Sequence, residues 1–179
     1  MDAQQTLCKK QTENSSTPRK VLFVCTGNTC RSPMAAALLN EMSRPREICS
    51  AAGELCTAPR LVASSAGLYA REGDPITPAA ADALREAGIP PRPGNDYSAH
   101  RARLVTSELV AQADEVVGLT ASHAMQLMLR FPEAASKIRT LPMDISDPFG
   151  GSAEVYRSCL AQLRYALELA YFAEADHDG

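Results

Sequence analysis

Two side chains suited to work on an oxyanion stand close together early in the chain: Cys25 and, six positions later, Arg31, in the run Cys25-Thr-Gly-Asn-Thr-Cys-Arg-Ser32. A thiolate is a strong nucleophile, and a guanidinium offers a planar fork of donors that matches two oxygens of a phosphate. Held at the two ends of one tight loop, they would grip such an anion and attack its central atom. Without context the same spacing also describes a small buried cysteine at a strand end and a surface arginine.

The flanking residues favour the first reading. Val21-Leu-Phe-Val24 is the short apolar run of a buried parallel strand, and Ser32-Pro33 ahead of Met34-Ala-Ala-Ala-Leu-Leu39 reads as a helix start. A loop between strand and helix, here Thr26, Gly27, Asn28, Thr29, Cys30 and Ser32, aims backbone N–H groups and the positive end of the helix dipole at one point. That point suits a phosphate, and its positive field favours the thiolate form of Cys25.

The rest of the chain alternates strand and helix patterns. Further strands are expected at Leu61–Ser65, Glu115–Leu119 and Ile138–Leu141. Thr77 is the expected N-cap of a helix whose apolar face is Ala79, Ala80, Ala83, Leu84 and Ala87, closed by Gly88. A short helix follows Thr106, and another runs from Ser122 to Leu129, ended by Pro132. A last one spans Ser152 to Phe172, with Val155, Tyr156, Cys159, Leu163, Leu167 and Ala170 facing the core. This alternation predicts a single-domain α/β fold with a four-stranded parallel sheet flanked by helices on both faces. Ligands of such sheets lie beyond the carboxyl ends of the strands, where Cys25 falls. The domain is expected over residues 19–174, after a flexible polar tail at 1–18; an alanine-rich connection at 47–59 has room for a short extra helix.

Composition narrows the function classes. A net charge of -3 without Lys/Arg runs argues against nucleic acid as partner, and no apolar stretch approaches the roughly 18 residues of a membrane span. With no apolar signal-peptide core at its start, the chain is expected in the cytoplasm, where its six cysteines read as thiols. Cys49 and Cys56 lack a nearby histidine, and His100, His123 and His177 have no ligand spacing, so neither metal nor other cofactor is expected.

Transfer of phosphate to a cysteine needs a proton for the leaving group. Asp147, in Asp147-Pro-Phe-Gly-Gly151 between the last strand and the last helix, is the best-placed carboxylate, and Phe149 would form an aromatic wall of the substrate slot. The same stretch also reads as a helix-leading turn with Asp147 as its cap.

Through Val24-Cys-Thr-Gly-Asn-Thr-Cys-Arg-Ser-Pro33, Ser65-Ala-Gly67, His100-x-Ala-Arg103 and the Asp147-Pro-Phe-Gly-Gly151 loop, in that order, the chain resembles the low-molecular-weight protein-tyrosine phosphatase superfamily across about residues 20 to 172. The resemblance implies a flavodoxin-like, phosphotyrosine protein phosphatase I fold, with Cys25 as nucleophile, Arg31 on the phosphate, and Asp147 as general acid and then base. It further implies that Asn28 and Ser32 brace the loop, that Ser65 and His100 support it from behind, and that phosphorylated proteins are the substrates. The longer connection around residues 44–60 departs from the family pattern without touching these positions.

Tyrosine-directed members mostly carry a bulky aliphatic residue where this chain has Thr29. The arginine-directed branch resembles it in both the Cys25–Ser32 and Asp147–Gly151 motifs, which makes phosphoarginine the expected substrate and phosphotyrosine the alternative. A hydroxyl at Thr29 suits a polar guanidinium better than the face of a phenol, and a single aromatic, Phe149, followed by two glycines still offers a stacking surface. Thr29 and Phe149 are therefore the expected selectivity residues. A non-enzymatic phosphocysteine carrier is the reading from another class; it has no need of Arg31 together with Asp147. A thioredoxin-coupled arsenate reductase would need a closely spaced downstream cysteine pair, and no cysteine lies between Cys56 and Cys159.

Cys30 in the same loop is placed to form a reversible disulfide with Cys25 under oxidation. We expect peroxide to inactivate the protein and dithiothreitol to restore it; loss that dithiothreitol leaves unrepaired would contradict this pairing.

Overall fold

The computed structural model describes residues 17–44 and 61–173. Strand β1 (Arg19–Cys25) is buried from Val21 onward, because Val21, Phe23 and Cys25 face one layer of helices while Leu22 and Val24 face the other. Strand β2 (Leu61–Gly67) pairs with it in parallel register, Cys25 opposite Gly67, and β3 (Glu115–Gly118) pairs on the other side. Strand β4 (Ile138–Thr140) completes the sheet in the order β2-β1-β3-β4, all parallel.

Helix α1 (Arg31–Met42) is buried from Arg31 through Leu39, since it lies between the sheet and two further helices, α2 (Pro78–Glu86) and the long terminal α5 (Ala153–Tyr171). The opposite face is covered by the short α3 (Ser107–Gln112), by α4 (Ala121–Arg130) and by the 3₁₀ turn Pro132–Lys137. Two apolar layers thus enclose β1 from Val21 onward. At roughly 1.5–3 kcal/mol for each fully buried large side chain, residues such as Phe23, Leu22, Met34 and Leu38 make this the firmest part of the molecule.

The architecture matches the sequence expectation, with local differences that have physical causes. Strand β2 runs two residues past Ser65 because Ala66 and Gly67 continue the ladder with Val24 and Cys25, where close approach matters more than strand propensity. Pro132 ends α4 as expected, yet the chain continues in a 3₁₀ turn that Pro132 itself opens. Val155 is 43 % exposed, so the buried stripe of α5 begins at Tyr156. Ala87 is exposed past the end of α2, and Ala81 takes its place in the core. Thr77 occupies the N-cap position of α2 but makes no capping bond; its hydroxyl points to the Cys30 thiol, 3.4 Å away. Most of the tail expected over 1–18, and the connection at 47–59 where a short extra helix had room, lie outside the described residues. Among the described residues no helix is long and apolar enough to cross a membrane.

Close approach between β3 and α4 requires a glycine. A Cβ on Gly118 would stand 2.5 Å from the backbone nitrogen of Ala124. Gly118→Ala is therefore expected to cost about 1–3 kcal/mol of stability in urea unfolding, with an unchanged m-value. A variant as stable as the parent would contradict this packing.

Candidate active site

Beyond the carboxyl end of β1 the chain turns through Thr26–Cys30 and enters α1. Cys30 stands at the N-cap of α1 without a side-chain capping bond, and no acidic residue occupies the first turn. The positive end of this buried twelve-residue helix is left for an external anion rather than an internal carboxylate.

Asn28 sets the shape of the loop. Its backbone has φ of +57°, the left-handed region that a non-glycine residue occupies only when its surroundings hold it there. Its Nδ2 donates to Ser32 Oγ and to Ser65 Oγ, each at 2.9 Å, and its Oδ1 accepts the Arg103 backbone N–H at 3.0 Å. The Asn28 carbonyl accepts a hydrogen bond from His100 Nε2 at 2.7 Å, which assigns the proton on that ring to Nε2. Arg103 Nε donates to the Ser65 carbonyl at 2.9 Å and ties the support together. Strand β2 comes close enough to do this because residue 67 is glycine: a Cβ there would lie 2.7 Å from the Thr26 carbonyl oxygen.

The Cys25 sulfur is buried at the bottom of this loop. It lies 3.0 Å from Ser32 Oγ and accepts the Asn28 backbone N–H at 3.3 Å. The Asn28 amide already donates to Ser32 Oγ, so the single hydroxyl proton is free to point at the sulfur, the nearer acceptor beside the Ala66 carbonyl at 3.3 Å. A thiolate accepts both bonds better than a thiol does.

Arg31 is buried, and its guanidinium faces the same space. One nitrogen donates to Asp147 Oδ2 at 2.9 Å and another to the Ile145 carbonyl at 3.3 Å. Asp147 also accepts the Phe149 N–H at 3.2 Å, a turn that presents Phe149 outward, 72 % exposed. Residues 25–31, Asp147 and Phe149 line one cleft of about 240 Å³. Nine of the ten loop, acid and selectivity positions singled out from the sequence line this cleft, the tenth, Ser32, lies directly beneath it against the Cys25 sulfur, and Ser65 and His100 lie behind the loop. The arrangement is equipped for in-line attack by sulfur on a phosphorus held by N–H groups and one guanidinium, with a carboxyl group at the mouth for the leaving group. Among the described residues no group of three or more His, Cys, Asp or Glu is placed to hold a metal ion.

Cys25 and Cys30 are both free thiols. The Cys30 sulfur sits on the core side of the loop, 3.4 Å from both Thr77 Oγ1 and Tyr156 Oη. Burial pushes the Tyr156 hydroxyl up to about 12, so it remains a neutral partner for Cys30.

Sequence reasoning passed over Tyr156 and Thr77 as core and cap, and gave His123 no role. His123 lies buried on α4 with Nε2 3.0 Å from Thr26 Oγ1 and Nδ1 2.9 Å from Thr120 Oγ1. The signal available was a histidine adjoining the buried stripe Ala124 and Leu127, where an apolar residue would have served packing as well.

Comparison with known proteins follows the same lines. Residues 20–176 match the family model described as low molecular weight phosphotyrosine protein phosphatase. A protein-arginine-phosphatase of Geobacillus stearothermophilus is 37% identical over 158 residues, 84% of this chain and 93% of that protein. The solved structure of the YwlE arginine phosphatase from the same organism superposes with a TM-score of 0.70, covering 86% of this chain and 91% of that one at 37% identity. A low molecular weight protein tyrosine phosphatase from T. tengcongensis gives a TM-score of 0.69 at 38% identity, covering 84% and 95% of the two chains.

Both supporting histidines are held uncharged. Burial lowers the pKa of His100 and of His123, and the Arg31 charge adds to the effect at His123. An unfolded histidine takes up its proton near pH 6.5, so below that pH the unfolded chain binds more protons than the folded one. Stability is therefore full above about pH 6.5 and falls as the pH drops from there. Thermal midpoints recorded between pH 7.5 and 5 should decline, and less so in a His100→Gln/His123→Gln variant; an equal decline would count against buried neutral histidines.

Proposed function

Because the chain belongs to the low molecular weight phosphotyrosine protein phosphatase family, we propose that it is a cysteine-dependent protein phosphatase acting on phosphoarginine residues. The observation that carries this reading is the convergence of Cys25, Arg31 and Asp147 on one cleft whose floor is the Thr26–Cys30 loop. Thr29 lines the same cleft, and its backbone carbonyl accepts the Thr77 N–H at 2.9 Å.

The phosphoryl group enters over the N-terminus of α1, its oxygens taking the loop N–H groups and the Arg31 fork. The Cys25 thiolate attacks phosphorus, a P–S bond forms, and the P–N bond to the guanidino nitrogen breaks. Asp147 supplies the proton that this nitrogen takes up. In the ion pair with Arg31 the Asp147 carboxyl group lies at the cleft, within reach of the leaving group. In the second half Asp147 takes a proton from water, the water oxygen attacks phosphorus, the P–S bond breaks, and inorganic phosphate leaves with the thiolate restored. We assign the protein to the cytoplasm, whose reducing surroundings keep thiols such as Cys25 and Cys30 free.

Arginine depends more on its proton than phenol does, because a guanidine is the far more basic leaving group. Phosphate release from phosphoarginine and phosphotyrosine peptides, with Cys25→Ser as blank, tests the assignment. We expect a preference for phosphoarginine that weakens in Thr29→Ile, and an Asp147→Asn loss of about 10²-fold or more that is at least as large for phosphoarginine as for phosphotyrosine. Preference for phosphotyrosine would make this a tyrosine phosphatase, and retention of one phosphate per chain without turnover would make it a carrier.

A further inference from the structure

His123 is a buried titratable group at this end of the sheet that the mechanism above leaves unused, and both of its ring nitrogens are engaged by hydroxyls. Thr120 Oγ1 is fixed at the N-cap of α4, where it also accepts the His123 backbone N–H at 3.2 Å. The ring therefore spans from a rigid helix cap to Thr26, the residue next to the nucleophile. Thr26 is exposed and lines the mouth of the cleft with Thr29 and Phe149.

We propose that His123 is a positioning residue that holds the Thr26 hydroxyl as a fixed hydrogen-bond acceptor on the lip of the cleft, where it receives an N–H of the substrate's guanidino group. The inference rests on the phosphoarginine reading and adds a selectivity element to it.

A threonine hydroxyl has one proton and two lone pairs. If His123 Nε2 carries its ring proton, it donates to Thr26 Oγ1 and one lone pair remains free. If Nδ1 carries it, Thr26 donates to Nε2 and both lone pairs remain. Either way the oxygen is held in place by the ring and keeps acceptor capacity toward the cleft. A guanidino group carries several N–H donors, whereas the ester oxygen of a phosphotyrosine or of p-nitrophenyl phosphate has none to offer.

The charge state of the ring fits this task. The charged groups facing His123 are Arg31 from α1, Asp147 from the loop before α5, and Asp144 from the loop after β4. Burial, reinforced by Arg31, keeps the imidazole uncharged. A neutral strut fixes the hydroxyl without setting a second cation at the lip, which would repel a guanidinium.

The test is a double-mutant cycle on the full chain, reading kcat and KM for a phosphoarginine peptide and for p-nitrophenyl phosphate. Loss of one hydrogen bond to the leaving group corresponds to about tenfold in the ratio of the two kcat/KM values. We expect His123→Leu and Thr26→Val each to lower that ratio about tenfold, and the double variant to lower it no further than either alone. Glutamine reaches as far as Nε2, so His123→Gln should restore the ratio to within about threefold of the parent. Equal losses on both substrates, or losses that multiply in the double variant, would overturn the inference while leaving the phosphatase reading intact. A parent protein without phosphoarginine turnover would take both down. Should His123→Leu fail to fold, Thr26→Val at its exposed position decides by itself: an unchanged ratio overturns the proposal.

Discussion

Everything at the carboxyl end of the sheet depends on a single backbone excursion, the left-handed conformation of Asn28. It lets the chain leave a buried strand and re-enter a buried helix within five residues while the Asn28 N–H points inward to the Cys25 sulfur. Such a conformation costs free energy and persists only where neighbours over-determine it. Here four partners from three segments do so: Ser32 from α1, Ser65 from β2, and His100 and the Arg103 backbone from the loop that leads toward α3. The bonds that hold the loop also place the Ser32 hydroxyl against the Cys25 sulfur, so loop shape and thiolate environment are one problem with one solution.

That solution requires backbones to approach closely. Gly67 and Gly118 sit where a methyl group would meet neighbouring backbone atoms, the first under the loop and the second against α4. At the opposite end of the sheet a different device anchors the frame. Glu115 is buried at the start of β3 and is shared by Arg19 of β1, Arg139 of β4 and the Tyr171 hydroxyl of α5, with the Arg139 guanidinium 4.9 Å from the Tyr171 ring centre. A buried carboxylate is tolerable only with such partners. They tie three strands and the last helix into one body, and the loop at the other end gains a rigid base.

The two cysteines of the loop illustrate how environment divides labour between identical side chains. Cys25 receives N–H and hydroxyl donors and faces the cleft, whereas Cys30 packs between Thr77 and Tyr156 on the core side. Thr77 gives up its capping role in α2 to do this, so the start of that helix is coupled to the loop through both its hydroxyl and its N–H. Arg31 is shared between the cleft and Asp147, which links the group that binds phosphate to the one that handles protons.

The sequence alone was enough to read the α/β alternation, four strands and the Cys25–Arg31 loop, because local physics encodes them: apolar runs, a proline in the first helical turn, and a nucleophile and cation within one turn of chain. It also offered Asp147 and Phe149, through a turn motif whose chemistry is local. Tertiary contact outweighed local preference where the second strand runs on through Ala66-Gly67, where Val155 faces outward, and where Thr77 keeps its N-cap position without a capping bond. His123, Tyr156 and the backbone of Arg103 were out of reach, since their contribution lies in which hydroxyl or amide each meets across 97, 126 and 75 residues of sequence. Only the folded sheet brings those partners to within about 3 Å of the loop, and nothing in residue type or spacing along the chain records that meeting.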